Sequence, residues 1–278
     1  MFKPLENIRV VTLALNVPGP LVAKRLLGLG AAVIKIEPPQ GDPLKQYCAK
    51  WYDDINVGQD CRAIDLKSIK GKKQLAAILS STDLLITAQR TKALDNLGLD
   101  WASLQQSFPQ LNHIAIVGYP SPGDNEAGHD LTYQAKLGLL KNNQLPSTLI
   151  ADMAGAEMAA FEGLALLMAS RTGEKGQKKI IALSESAEYM AQPLTYGVTA
   201  EGGLLSGGLP EYATYQTKEG WVALAALEPH FSARLKECLE LETLSSESLS
   251  QVFKQKTAHE WVAWAGERDI PLAEIKTS

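Results

Sequence analysis

The sequence predicts an α/β protein with a Rossmann-like, doubly wound parallel-sheet domain followed by a smaller α+β domain. In the first 118 residues, short apolar runs alternate with amphipathic segments, as in successive βαβ units. After residue 208, a hairpin pattern is followed by two amphipathic helices. The glycine-rich stretch 201–208 separates the two patterns. We therefore expect domains at 1–200 and 209–278, with this stretch as the linker.

Apolar periodicity predicts the elements of the first domain. The predicted strands are 8–13, 32–36, 83–87 and 113–117. The predicted helices are 21–29, 70–80 and 101–107. The first strand leads into the turn 16–20, which lacks the GxGxxG pattern of dinucleotide sites. Spacing alone favours a simple tight turn there over a ligand-binding loop.

The rest of the chain begins with an irregular region, 119–151, that is rich in turn residues at 119–124 and 142–146. A near-continuously apolar segment follows, and it predicts a buried helix. The later elements are recognised by the same patterns. The predicted helices are 153–171, 231–239 and 259–266, and the predicted strands are 178–183, 212–217 and 221–227.

Composition excludes several classes of protein. A net charge of -4 over 278 residues argues against general nucleic-acid binding, which requires an excess of Lys and Arg. The three cysteines are far apart and form no CxxC pair, so we expect no disulfide framework, no metal site and a cytoplasmic location. There is no apolar run of about 18 residues, so no membrane span is predicted.

His129 is the histidine best placed for chemistry. It lies within the irregular region, at the end of a loop and just before the helix-like run 131–140. Near a helix N-terminus, an imidazole could stay neutral and act as a base. Considered alone, it fits a surface or capping histidine better.

Asp152 and Glu228 are the carboxylates in comparable positions. Asp152 follows an apolar run and precedes the apolar helix, so spacing alone favours an N-cap over a perturbed catalytic carboxylate. Glu228 precedes Pro229, which is typical of a turn. No GxSxG, HExxH or Walker A motif is present, so serine-hydrolase and metal-dependent mechanisms are not indicated.

An ordered set of short segments along nearly the whole chain resembles family III CoA transferases. These segments are 8–11 (IRVV), 19–20 (GP), 26–31 (LLGLGA), 33–37 (VIKIE), 41–42 (GD), 65–67 (DLK), 83–90 (DLLITAQR) and 97–99 (LGL). Three further segments look like those of the α-methylacyl-CoA racemase branch. They are 128–133 (GHDLTY), 150–152 (IAD) and 227–231 (LEPHF).

The resemblance implies an acyl-CoA enzyme with the family III fold, in which His129 and Asp152 exchange a proton with opposite faces of the thioester α-carbon. Glu228 would support the histidine, and backbone N–H groups near the helix start would hold the enolate. In the transferase alternative, Asp152 attacks the thioester and carries the acyl group as an anhydride. The racemase branch is the closer resemblance.

The resemblance also implies a CoA thioester as substrate, no tightly bound cofactor and an interlocked homodimer that lacks the usual C-terminal return of the chain. The residues expected to contact CoA are Arg90, Gly128, Asp130, Tyr133 and Lys35. However, Pro38 and Asn96 occupy positions that are usually basic, and the loop 57–61 is not basic. A degenerate, non-catalytic family member is therefore a third alternative.

Overall fold

The computed structural model describes residues 2–141 and 144–276. The chain divides into two compact units, Met1–Ala191 and Gln192–Ser278, and each is described by itself. Asn142 and Asn143, which belong to the predicted irregular stretch 142–146, lie outside the described residues.

The first unit is built on a six-stranded parallel sheet in the order β3-β2-β1-β4-β5-β6. Its strands are β1 (Arg9–Thr12), β2 (Ala32–Glu37), β3 (Asp60–Ala63), β4 (Leu84–Thr87), β5 (Asn112–Val117) and β6 (Lys178–Ala182). The chain winds outward from β1 in one direction and then from β4 in the other, which is the Rossmann order. The predicted doubly wound α/β fold is therefore confirmed.

Nine helices of this unit connect or flank the strands in the described ranges. They are α1 (Pro18–Gly28), α2 (Leu44–Tyr47), α3 (Ala49–Asn56), α4 (Ile69–Leu79), α5 (Thr91–Leu97), α6 (Trp101–Ser107), α7 (Asp130–Lys136), α8 (Ile150–Arg171) and α9 (Leu183–Met190). Neighbouring residues of the central strands enter opposite cores. Val10 and Leu84 pack with α1 and α8, whereas Val11 and Leu85 pack with α4 and α6. Because both faces are covered, the central strands are mostly apolar.

Helix α8 differs from its prediction at its start and in its burial. It begins at Ile150 rather than at residue 153, so Asp152 lies in its first turn and is not its N-cap. Ala156 and Ala159 pack on the sheet, but Phe161 is 71% exposed and Met168 is 69% exposed. Only one face of the helix is therefore buried.

The composition of α8 also bears on membrane insertion. Among the described residues, Ile150–Arg171 is the one helix long and apolar enough to cross a membrane. These two properties are weak evidence of a membrane span, because the core helix of a soluble protein has the same length and apolar composition.

The second unit contains a three-stranded antiparallel sheet in the order β7-β8-β9. Its strands are β7 (Tyr212–Gln216), β8 (Trp221–Ala225) and β9 (Leu272–Glu274), and its helices are α10 (Gln192–Thr195), α11 (Pro229–Cys238), α12 (Ser246–Phe253) and α13 (Ala258–Gly266). The predicted hairpin is confirmed as β7 and β8. The glycine-rich stretch lies inside this unit, and Leu204–Gly208 forms an irregular turn in which Gly207 has a positive φ of 99°.

Candidate active site

A cleft of about 380 Å³ opens at the carboxyl ends of β1, β4 and β5. The strand order reverses between β1 and β4, which is where open α/β sheets place their ligands. Five of the eight residues predicted for the site line this cleft. They are Arg90, Gly128, His129, Tyr133 and Asp152.

His129 is held by the start of α7. It is the N-cap residue of that helix, and its backbone N–H donates to Thr132 Oγ1 at 3.0 Å. The Thr132 hydroxyl donates back to the carbonyl of His129 at 2.8 Å. The side chain makes no cap hydrogen bond, and the residue is exposed. The imidazole is therefore presented to the cleft from a fixed backbone.

Asp152 is a half-buried carboxylate in the first turn of α8. Burial, together with the smaller effect of the negative charge of Asp130, raises its pKa from 3.8 to about 7. Burial penalises the charged form of a carboxyl group, and a neighbouring like charge does the same. Near neutral pH, Asp152 is consequently present in both its protonated and its deprotonated form.

Asp130 ties α7 to the start of α8. Its side chain is buried, and Oδ1 accepts from the backbone N–H of Ala151 at 2.7 Å and of Asp152 at 3.1 Å. Gln134 donates to its other oxygen. The carboxylate thus caps α8 from outside that helix.

The hydrogen bonds to Asp130 correct the expectation that backbone N–H groups at this helix start hold the enolate. The N–H groups of Ala151 and Asp152, at the start of α8, already donate to Asp130 and do not hold an enolate. Both carboxylate oxygens of Asp130 have hydrogen-bond partners within the protein. These bonds give no support to the predicted contact of Asp130 with CoA, which stays a prediction.

Replacement of Asp130 by Asn is expected to lower the pKa of Asp152. The amide oxygen can still accept from the helix N–H groups, but the like charge beside Asp152 is removed. If Asp152 is the base, as the resemblance implies, activity in the direction in which it takes the proton should rise with pH around 7 in the wild type. The same rise should occur at lower pH in the variant. An unchanged kcat/KM profile between pH 5 and 9 would contradict the coupling.

Arg90 and Tyr133 complete the predicted set within the cleft. Arg90 is exposed at the start of α5, and no carboxylate in residues 2–141 and 144–276 forms an ion pair with it. Tyr133 is 2% exposed. Its ring contacts Gly128, where a Cβ atom would lie 2.6 Å from the phenolic oxygen. The glycine of the predicted motif thus makes room for this tyrosine.

Lys35 lies outside the cleft. Its side chain is 0% exposed, and Nζ is 2.6 Å from Asp42 Oδ2 and 3.0 Å from Glu37 Oε1. Asp42 also accepts from the backbone N–H of Asn16 at 3.0 Å. A buried, doubly paired ammonium has no free surface for a ligand, so the position of Lys35 does not support the predicted CoA contact. It supports the loop that carries Asn16 instead.

Glu228 belongs to the second unit, where it is the N-cap residue of α11 and makes no side-chain cap hydrogen bond. Pro229 follows at the first helical position, which suits the fixed φ of proline. The predicted support of His129 by Glu228 stays a prediction.

The cleft has further lining residues that the sequence did not single out. They are Leu15, Asn16, Val17, Pro18, Tyr47, Ala88, Gln89, Ile116, Val117, Gly118, Asp124, Glu126, Leu149 and Leu183. The turn 16–20, interpreted above as a simple tight turn, contributes three of them. The signal that could have identified it is its position at the carboxyl end of a predicted strand.

Comparisons with known proteins agree with this architecture. A family model described as CoA-transferase family III matches residues 5–278. Alpha-methylacyl-CoA racemase from Mus musculus is 30% identical, over 92% of this chain and 74% of that protein. Cinnamoyl-CoA:phenyllactate CoA-transferase from Clostridium sporogenes is 28% identical, over 98% of this chain and 78% of that protein.

Solved structures show the same fold. A hypothetical protein from Mycobacterium tuberculosis superposes with a TM-score of 0.86 at 23% identity, over 99% of this chain and 84% of that one. A CAIB/BAIF family protein from Brucella suis gives a TM-score of 0.83 at 22% identity, over 100% of this chain and 85% of that one. The match to the family model over nearly the whole chain and the shared fold lead to one conclusion: this protein belongs to CoA-transferase family III.

Proposed function

We propose that this protein is an acyl-CoA racemase or epimerase that moves the α-proton of a 2-methylacyl-CoA-like thioester. The observation that carries the proposal is that His129 and Asp152 line one cleft at the carboxyl ends of the strands. The relatives include an enzyme named alpha-methylacyl-CoA racemase, at 30% identity.

The proposed reaction needs an acid and a base on opposite faces of one carbon. One residue takes the α-proton as the C–H bond breaks, and the electron pair moves onto the thioester oxygen to form an enolate. The other residue then gives a proton to the opposite face, which inverts the centre. A carboxyl group with a pKa of about 7 suits this role, because it can give or take a proton at neutral pH.

Space for the rest of CoA is available beside the cleft. A second cavity, also of about 380 Å³, shares Leu15 and Gln89 with the cleft and is lined in addition by Pro38 and Lys67. We propose that CoA extends across both cavities. Arg90 and Lys67 would then supply positive charge for its phosphates.

Exchange of the α-proton for deuterium tests the proposal. The wild type should incorporate one deuterium into 2-methyldecanoyl-CoA in heavy water, as followed by mass spectrometry. Replacement of His129 by Ala should slow incorporation on the order of 10²- to 10⁴-fold, the usual contribution of a positioned acid or base. If both proteins exchange equally slowly, the racemase assignment is wrong.

CoA transfer between carboxylic acids is the second candidate, and it is favoured by the 28% identity to a CoA-transferase over 98% of the chain. Here an oxygen of Asp152 attacks the thioester carbonyl, the C–S bond breaks, and CoA leaves as the thiolate. Hydroxylamine would trap the acyl-enzyme anhydride in this case. Persistent transfer by an Asp152→Ala variant would eliminate it.

A non-catalytic protein is the third alternative, motivated by Pro38 and Asn96 at positions that are usually basic. Micromolar binding of CoA and acetyl-CoA in calorimetry would count against it. A homodimer, a cytoplasmic location and the lack of a tightly bound cofactor stay predictions.

A further inference from the structure

Both candidate reactions place negative charge on the same atom. Proton abstraction gives an enolate oxygen, and attack of Asp152 on the carbonyl gives a tetrahedral oxyanion at that position. An enzyme of either kind needs a hydrogen-bond donor aimed at this oxygen, and removal of such a donor lowers kcat by roughly 10²- to 10³-fold.

Several donors in and below the cleft are already engaged within the protein. The N–H groups of Ala151 and Asp152 donate to Asp130. The Gln89 side-chain amide donates to the carbonyl of Leu13 at 2.6 Å. The Tyr47 hydroxyl donates to Asn16 Oδ1 at 2.7 Å. Two backbone N–H groups, the Tyr47 hydroxyl and one of the two N–H groups of Gln89 are thus already occupied.

The hydroxyl of Tyr133, unlike these donors, is not engaged by any described residue. The residue is 2% exposed and lines the cleft, and within the part of the chain that the structure describes its hydroxyl forms no hydrogen bond. Tyr133 Oη is not among the fully enclosed side-chain atoms without a partner in the described residues, which are Asn56 Oδ1, Gln59 Oε1 and His113 Nδ1. The hydroxyl is therefore open to the cleft, where it can donate to a ligand.

Two glycines fix the position of this hydroxyl. A Cβ atom at Gly118 would lie 2.5 Å from the phenolic oxygen, and a Cβ atom at Gly128 would lie 2.6 Å from it. Tyr119 packs edge-on against the Tyr133 ring, with the ring centroids 5.1 Å apart. The hydroxyl is thus held between the end of β5 and the segment that presents His129.

We propose that Tyr133 is a catalytic residue that donates a hydrogen bond from its hydroxyl to the oxygen of the CoA thioester. The proposal rests on the proposed acyl-CoA function and applies to the racemase and the transferase alternatives alike. It gives Tyr133 a role at the reacting atoms, beyond the general CoA contact that the motif implies.

The protonation state of Tyr133 fits a donor. Burial raises its pKa to about 12, and the negative charges of Asp152 and Asp130, together with Tyr119, act in the same direction. Arg90 opposes the shift. His129, Tyr47, Asp124 and Glu126 are the other titratable groups that line the cleft. The phenol therefore carries its proton throughout the neutral range.

A pair of tyrosine variants tests the proposal. Tyr133→Phe removes the hydroxyl and keeps the ring against the two glycines, whereas Tyr119→Phe removes a neighbouring hydroxyl that does not line the cleft. Deuterium exchange into 2-methyldecanoyl-CoA and CoA transfer from it to propionate should both be measured on all three proteins. Calorimetry with CoA and thermal melting report binding and folding.

We expect Tyr133→Phe to lower kcat on the order of 10²- to 10³-fold in whichever reaction the wild type performs. The dissociation constant for CoA and the melting temperature should stay close to wild type, which a purely structural role would not predict. Tyr119→Phe should remain close to wild type in rate.

If the wild type is active and the Tyr133→Phe variant turns over as fast as the Tyr119→Phe variant, the proposed role of Tyr133 is wrong and the proposed function still stands. A wild type that performs neither reaction would contradict both.

Discussion

Replacement of Asp152 by Asn is expected to reduce whichever of the two proposed reactions the wild type performs, α-proton exchange or CoA transfer, by roughly 10³-fold or more. A general acid or base alone contributes about 10² to 10⁴, and a nucleophile cannot be bypassed. The amide has nearly the shape of the carboxylic acid, so the lining of the cleft is kept. It can neither accept the α-proton nor attack the thioester carbonyl. Rates of deuterium incorporation and of acyl transfer measure the loss.

Glu157→Gln is the matched control for this variant. Glu157 lies on the same helix, pairs with the exposed Arg25 at 2.6 Å, and does not line the cleft. The same carboxylate-to-amide change there should leave both rates close to wild type. Near-wild-type turnover by the Asp152 variant would remove this residue from either mechanism.

Replacement of Lys35 by Met is expected to destabilise the first unit by about 3–5 kcal/mol. Both partners of Lys35 are buried, the side chain of Asp42 being 0% exposed and that of Glu37 11% exposed. Loss of the ammonium leaves two buried carboxyl groups without their cation. Urea unfolding monitored by circular dichroism gives the change in free energy.

The surface pair of Lys24 and Asp54 provides the control. It is equally short at 2.6 Å, but its side chains are 36% and 65% exposed. Lys24→Met should therefore cost less than about 1 kcal/mol. If the two substitutions lower the free energy of unfolding equally, burial of the Lys35 ion pairs does not determine their contribution to stability.

Much of the sheet was predictable because its central strands are buried on both faces. The four strands predicted in the first 118 residues agree with β1, β2, β4 and β5 to within one or two residues at each end. Strand β3 was missed, since it is a polar edge strand (DCRA) exposed along its whole length. Strand β9 is short and mostly exposed, so it carries no apolar pattern either.

The site was predictable only in part. Spacing alone favoured a surface role for His129 and a cap role for Asp152, and their motifs were needed to pair them. The cap on α8 is supplied by Asp130, which lies 22 positions before Asp152, and a contact of this kind depends on tertiary packing. The resemblance also led to the expectation that Lys35 contacts CoA, because a sequence does not show that this charge is already paired by Asp42.

The structure of the Asp152→Asn variant with bound 2-methyldecanoyl-CoA tests the central claim most directly. The account predicts that the α-carbon lies between the side chains of His129 and residue 152, about 3–3.5 Å from the reacting atom of each. It also predicts that the thioester oxygen lies within hydrogen-bond distance of the Tyr133 hydroxyl. A thioester bound outside this cleft, or one whose α-carbon reaches neither side chain, would contradict the account.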